Sequence, residues 1–207
     1  MSKKPQQARS IESTNRMLDA AETLLREGGP RAITVEAVIE RSNTSMGSFY
    51  ARFGNHYGLL EALHERYLEV IVKEDFFGRL EESISKPDLT SAVHSFINTA
   101  FVMNFEHRDL TSFFMIFNIE DQAMRSMGAH ISQMFTGLLH RLVKAHRAEV
   151  SHKNLRNASD FAALLISGIV LDSLLHEPGE FTGLVRSQKQ IVNSTSQAVV
   201  AYLKYGG

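Results

Sequence analysis

The stretch "SNTSMGSFYARFGN", residues 42–55, decides how this sequence is read. It lies between two segments of helical periodicity and combines turn residues, a helix cap and paired aromatics in a very short span. Asn43 tolerates the left-handed backbone that a tight turn between helices needs. Ser45 can cap a short helix over residues 45–51 by accepting a backbone N–H. Gly47 lowers the stability of such a helix by about 1 kcal/mol relative to Ala, so its presence asks for a compensating use. A surface without a side chain, able to approach another molecule closely, is one such use. Two short helices joined in this way form a helix-turn-helix, whose second helix reads DNA. The same spacing also fits a plain connector with Phe49, Tyr50 and Phe53 in a core.

On the N-terminal side, residues 10–29 carry Met17, Leu18, Ala21, Leu24 and Leu25 on one helical stripe, and Gly28, Gly29 and Pro30 end that helix. Thr34 caps the next, whose buried side is Val35, Val38 and Ile39, with Glu36 facing its positive end. On the C-terminal side a helix starts near Asn55, with Leu59, Leu60, Leu63, Tyr67, Val70 and Ile71 as its apolar face, and is expected to run as far as Pro87. Asp88 caps a fifth helix over 89–106. Further helices are predicted over 110–120, 120–149, 158–176 and 184–204. No segment alternates like a strand. The expected fold is therefore all-α: a small helix-turn-helix unit, residues 10–55, followed by a larger bundle, residues 56–207, with about nine helices in total. Residues 1–9 are basic and lack an apolar core, so they read as a flexible arm rather than a signal peptide.

Composition narrows the class without deciding it. The 207 residues carry a net charge of −1 and no Cys, which excludes a disulfide framework and thiolate metal sites and fits a reducing, cytoplasmic setting. No stretch reaches the ~18 uninterrupted apolar residues of a membrane span. Residues 1–54 hold eight basic against six acidic side chains, a weak positive bias. An enzyme is the rival from another class. There is no His-x-x-x-His, no Glu-x-x-His, no phosphate-binding glycine loop and no nucleophile elbow, so neither catalytic residues nor a metal or other cofactor are expected.

Residues 16–63 as a whole resemble the DNA-binding domain of the TetR family of transcriptional regulators. The resemblance rests on Ala20-Ala21, Gly28-Gly29, Thr34, Ser45, Gly47, Ser48, Phe49, Tyr50 and Phe53 in that order. It implies that Thr34, Ser45 and Tyr50 contact phosphates and that Thr44, Met46, Gly47 and Ser48 face the major groove. Phe49 and Phe53 are then pegs that hold the short helix. The chain departs from the family pattern at three places. His56 stands where a Lys commonly contacts phosphate, Met46 stands where a basic residue is frequent, and Asn43 replaces the usual turn Gly. Fewer cations weaken non-specific affinity and flatten its salt dependence. Thr44 and Met46 offer methyl groups to thymine.

In the larger half, residues 96–135 concentrate Phe and Met. Phe96, Phe101, Met103, Phe105, Phe113, Phe114, Phe117, Met127 and Met134 read either as core or as the lining of a pocket for a small apolar or aromatic effector. The TetR resemblance implies such a pocket. It also implies a homodimer through the last two helices, here through Phe161, Leu165, Gly168, Ile169, Val192 and Val199. The functional expectation is a ligand-responsive dimeric regulator, a repressor of a near-palindromic double-stranded DNA operator, with no membrane association. The alternative is an all-α small-molecule-binding protein or enzyme that does not regulate DNA.

Overall fold

The computed structural model describes the backbone of residues 6–73, 76–120, 122–180 and 183–207, with side chains throughout these except at 6–7, 70–73, 117–120, 122–124 and 126–127. The described residues are helical and contain no strand. The chain forms two compact units, residues 1–71 and 72–207.

The first unit holds α1 (Gln6–Gly28), α2 (Val35–Ser42), α3 (Met46–Phe53) and most of α4 (His56–Lys73). Helix α1 begins earlier than expected, so residues 6–9 of the predicted arm are helical; residues 1–5 lie outside the described residues. It ends where the sequence demands, with Gly29 at φ 71° taking the left-handed backbone that glycine allows. The core of the unit is Met17, Leu18, Ala21 and Leu25 of α1, Val38 of α2, Phe49 of α3, and Leu59, Leu60 and Leu63 of α4, all buried. Arg66 of α4 reaches back to Asp19 and Glu22 of α1. These packings carry α4 into the first unit, so the divide falls after Ile71 and not after Asn55.

In the segment expected as one helix from Asn55 to Pro87, the described residues hold α4 and α5 (Phe76–Glu82), with a 3-10 turn over Ser83–Ser85; residues 74 and 75 lie outside the described residues. The second unit continues with α6 (Leu89–Glu106), α7 (Arg108–Glu120), α8 (Gln122–Ala145), α9 (Leu155–Leu175) and α10 (Gln188–Tyr205). The described residues include ten α-helices, close to the expected number of about nine. Helix α6 lies at the centre, with α5, α8, α9 and α10 packed on it. Its Leu89, Ala92, Val93, Phe96, Ile97 and Ala100 are buried, as are Leu139 and Leu142 of α8, Ala162 and Ile166 of α9, and Val192, Val199 and Leu203 of α10. The buried hydroxyls of Ser159, Thr195 and Ser196 donate to carbonyls one turn back, on Leu155, Ile191 and Val192. These three hydroxyls therefore keep partners where the helices approach closely.

A clasp ties the ends of three elements. Glu149 accepts the Leu89 N–H at 2.8 Å and pairs with Lys204 at 2.9 Å. The Lys204 ammonium, and then that N–H, hold the Glu149 carboxyl below its ordinary range. Asp88 caps α6 on Ser91, as its position in the sequence predicts. Helix α9 is long and apolar enough, by length and composition, to cross a membrane. Its Ala158, Ala162, Ala163, Ile166, Val170 and Leu174 are instead buried in this bundle.

His64 is a buried titratable group of the first unit, 2% exposed and stacked on Tyr67 at 6.4 Å. Burial pushes its imidazole below the ordinary histidine range. The unfolded chain therefore takes up a proton near pH ~6.5 that the folded unit resists, and stability falls as pH drops below that value. Urea midpoints should fall between pH 7.5 and 5.5, and His64→Phe should flatten the decline. An unchanged slope in that variant would assign the loss to other groups.

Candidate nucleic-acid interface

Helix α3 is eight residues long and too short to be stable alone. The local sequence explains how it is built. Thr34 accepts the Ala37 N–H at 3.1 Å and caps α2. Asn43 then ends α2 in the left-handed region, at φ 50° and ψ 52°. Ser45 accepts the Ser48 N–H at 3.2 Å and caps α3. Phe49 is fully buried, 5.2 Å from Phe53 and 5.5 Å from Tyr50 between ring centroids. It is the peg the sequence suggested, with Phe53 half-buried beside it.

The opposite side of α3 is open. Thr34, Ser45, Met46, Gly47, Ser48, Tyr50 and His56 are exposed, and Thr44 is half-buried. Met46 is 47% and Tyr50 49% exposed, high values for large side chains next to a core. The residues expected to meet DNA are therefore accessible in the first unit, Thr44 in part. The connector reading required Tyr50 in the core, and it is not there.

The hydrogen bonds sort these residues by what they can still offer. The Ser42 hydroxyl donates to the Ile39 carbonyl, so the 2.7 Å contact between Ser42 and Thr44 uses the Thr44 proton. Thr44 keeps acceptor capacity and its methyl group. The Ser45 and Ser48 hydroxyls share one bond at 2.9 Å, which leaves one of their two protons free to donate outward. The His56 ring donates from Nε2 to the Ile33 carbonyl at 2.6 Å. Its Nδ1 becomes a second donor only in the imidazolium. Asn55 caps α4 by accepting the Gly58 N–H at 2.9 Å. One residue absent from the sequence-based set belongs here: Arg52, exposed on the last turn of α3, supplies a cation to this short helix. Its charge was visible in the sequence, but its exposure depends on how Phe49 orients the helix.

Two glycines flank the site for opposite reasons. A Cβ at Gly58 would sit 2.0 Å from the Phe53 carbonyl oxygen, so α4 can approach the end of α3 only without one. A Cβ at Gly47 would meet nothing within 4 Å. Folding does not require glycine at position 47.

The second unit gives a different picture for the apolar set. Phe96, Phe101, Met103, Phe113 and Phe114 are buried in its core. Phe96 packs on Phe135 at 5.0 Å, and Phe101 stacks on the half-buried Phe105 at 6.0 Å. Met134 is 41% exposed, and Phe117 and Met127 lie outside the described side chains. A cleft of about 520 Å³ lies elsewhere in this unit, among Phe105, Arg108, Ile169, His176, Arg186 and Ile191. Of the apolar set only Phe105 lines it. Among the expected dimer residues, Phe161 and Gly168 are exposed, and Leu165 and Ile169 half-buried. Val192 and Val199 depart from that expectation: at 2% and 1% exposure they are buried within the unit, on the helix that packs on α6. Leu164, 66% exposed, and Leu175, 37%, continue the outward face of α9.

Residues 17–63 match the sequence profile of "Bacterial regulatory proteins, tetR family". Solved structures of similar fold include a transcriptional regulator from Rhodococcus sp. RHA1, with TM-score 0.67, 13% identity, and coverage of 94% of this chain and 97% of that one. A TetR-family transcriptional regulator from Thermus thermophilus superposes with TM-score 0.64 at 12% identity, over 89% of this chain and 97% of its own. A TetR transcription regulator from Haloarcula marismortui gives TM-score 0.63 at 13% identity, over 93% and 97%. At such identities the likeness establishes the fold. No curated protein matches the sequence.

Gly47→Ala should leave the protein as stable as the parent or up to about 1 kcal/mol more stable, because Ala favours helix, while DNA affinity falls as the new methyl blocks close approach. Thermal melts and DNA titrations on one preparation check both halves, and full affinity in the variant would end the close-approach account. Tyr50→Ala should abolish specific DNA binding with little change in melting temperature, given the exposure of the ring. A large stability loss would mean that Tyr50 acts as a second peg.

Proposed function

We propose that this chain, whose helix-turn-helix domain belongs to the tetR family of bacterial regulatory proteins, is a dimeric, ligand-responsive repressor of a near-palindromic DNA operator. The observation that carries the reading is the exposed face of α3. A buried Phe49 and a capped N-terminus hold out a short, nearly side-chain-free first turn, with Tyr50 and Arg52 beside it. Backbone N–H groups at the start of α3 and the free hydroxyl proton of the Ser45–Ser48 pair suit phosphate oxygens. Thr34, Tyr50, Arg52 and His56 add phosphate contacts around them.

Dimerisation supplies the second reading helix. Phe161, Leu164 and Leu175 on α9 and the small residues Ser194, Ala198 and Ala201 on α10 are exposed, so two copies can approach closely through these helices. This set replaces Val192 and Val199. A two-fold dimer with recognition helices about 34–36 Å apart reads half-sites one helical turn apart. The effector is a small apolar or aromatic molecule received by the Phe- and Met-rich core of the second unit, where methionine side chains adapt to an irregular guest. It acts by favouring a state that no longer fits the operator. The reading includes no catalytic step and a cytoplasmic protein.

Gel shifts with the DNA flanking the coding region, at two salt concentrations, test the reading. Saturable, competitor-resistant retention of a near-palindrome is the expected result. Binding that is weak and vanishes with salt would favour an all-α small-molecule-binding protein without DNA regulation. Leu164→Glu should convert dimer to monomer in sedimentation and reduce operator affinity by at least tenfold, since a charge would be buried at the α9 face. A variant that stays dimeric would move the interface elsewhere.

A further inference from the structure

The first turns of α3 are unusual in what they lack. Residues 44–51 contain no Arg, Lys, Asn or Gln, the side chains that pair bidentately with guanine or adenine edges. The nearest amide, Asn43, is the C-cap of α2 in the turn. The nearest cation, Arg52, is on the last turn of α3, away from its tip. The hydroxyls do not fill the gap. The Thr44 proton is spent on Ser42, and that of Ser42 on Ile39. Ser45 and Ser48 share one bond, and the single proton left to the pair is the one assigned above to a phosphate oxygen. Gly47 has no side chain. What remains at the tip of the helix is one long side chain, Met46, which is the first residue of α3, 47% exposed, and beside an open Gly47.

We infer that Met46 is the base-reading residue of this protein and that it reads the C5-methyl group of thymine in the major groove. The inference rests on the DNA-binding reading of α3 and specifies how that surface discriminates. Thymine is the base whose major-groove edge carries an apolar group. A thioether with several rotatable bonds and a polarisable sulfur can cover a methyl without demanding a fixed geometry. Gly47 lets the helix tip come close enough for that contact, and Thr44, its proton turned inward, adds a second methyl at the edge. Specificity here depends on apolar contact and not on hydrogen-bonded pairing.

The experiment uses the full-length protein and its best duplex, obtained by selection from a random library. Each thymine is then replaced singly by deoxyuridine, which removes the methyl and leaves the hydrogen-bonding edge unchanged. One thymine per half-site should show a loss of about fourfold per half-site, the effect of one buried methyl group. In Met46→Ala, with fold and dimer checked by circular dichroism and sedimentation, the thymine and deoxyuridine duplexes should bind equally. In Met46→Arg the preference at that base pair should move to guanine. A flat deoxyuridine scan on a tightly bound duplex would overturn the inference and leave the DNA-binding reading intact. So would a loss that persists undiminished in Met46→Ala. A protein that selects no duplex at all would overturn both.

Discussion

An eight-residue helix cannot hold itself together, and α3 exists because Phe49 is buried. That one ring fixes which way the helix faces, and every exposed feature of the site follows from it. With Phe49 inward, residues 46–48 fall on the outer face of the first turn, Tyr50 lies at the rim and Arg52 at the far end. The turn that precedes the helix works under the same constraint. Asn43 at positive φ reverses the chain in the few residues available, and Ser45 starts the next helix at once. Gly58 completes the arrangement, since any side chain there would push α4 off the Phe53 carbonyl.

A site this compact satisfies most of its own polar groups. Thr34, Ser42, Thr44, Ser45 and Asn55 all hold backbone or hydroxyl partners within the unit. This ordering stiffens the surface before any ligand arrives, which lowers the entropy lost on binding. It also commits the Thr44 proton and one proton of the Ser45–Ser48 pair within the unit. The tip that remains exposed carries little charge, in keeping with the weak charge bias of residues 1–54.

The second unit follows a different rule. Here the weight is carried by α6, buried along most of its length, and by helices that approach closely because their inward faces are small or hydroxylated. Apolar surface left over on the outside of α9 is then the feature that asks for a partner.

Much of this was legible in the sequence, because capping and breaking are local chemistry. Thr34, Ser45 and Asp88 cap the helices they precede, Gly29 and Asn43 take positive φ, and α6 has the limits its pattern predicts. The all-α class and the short exposed helix follow from the same local rules. Tertiary structure decided which of several apolar stripes found a neighbour. Val192 and Val199 look like interface residues in sequence and are buried within the unit, on the helix that packs on α6, while Leu164 on α9 stands exposed. The Phe- and Met-rich stretch was ambiguous between core and pocket lining for the same reason. Periodicity says that a face is apolar, but not what will cover it, and Gly47 and Gly58 look alike until the surrounding atoms show that only one of them has room for a side chain.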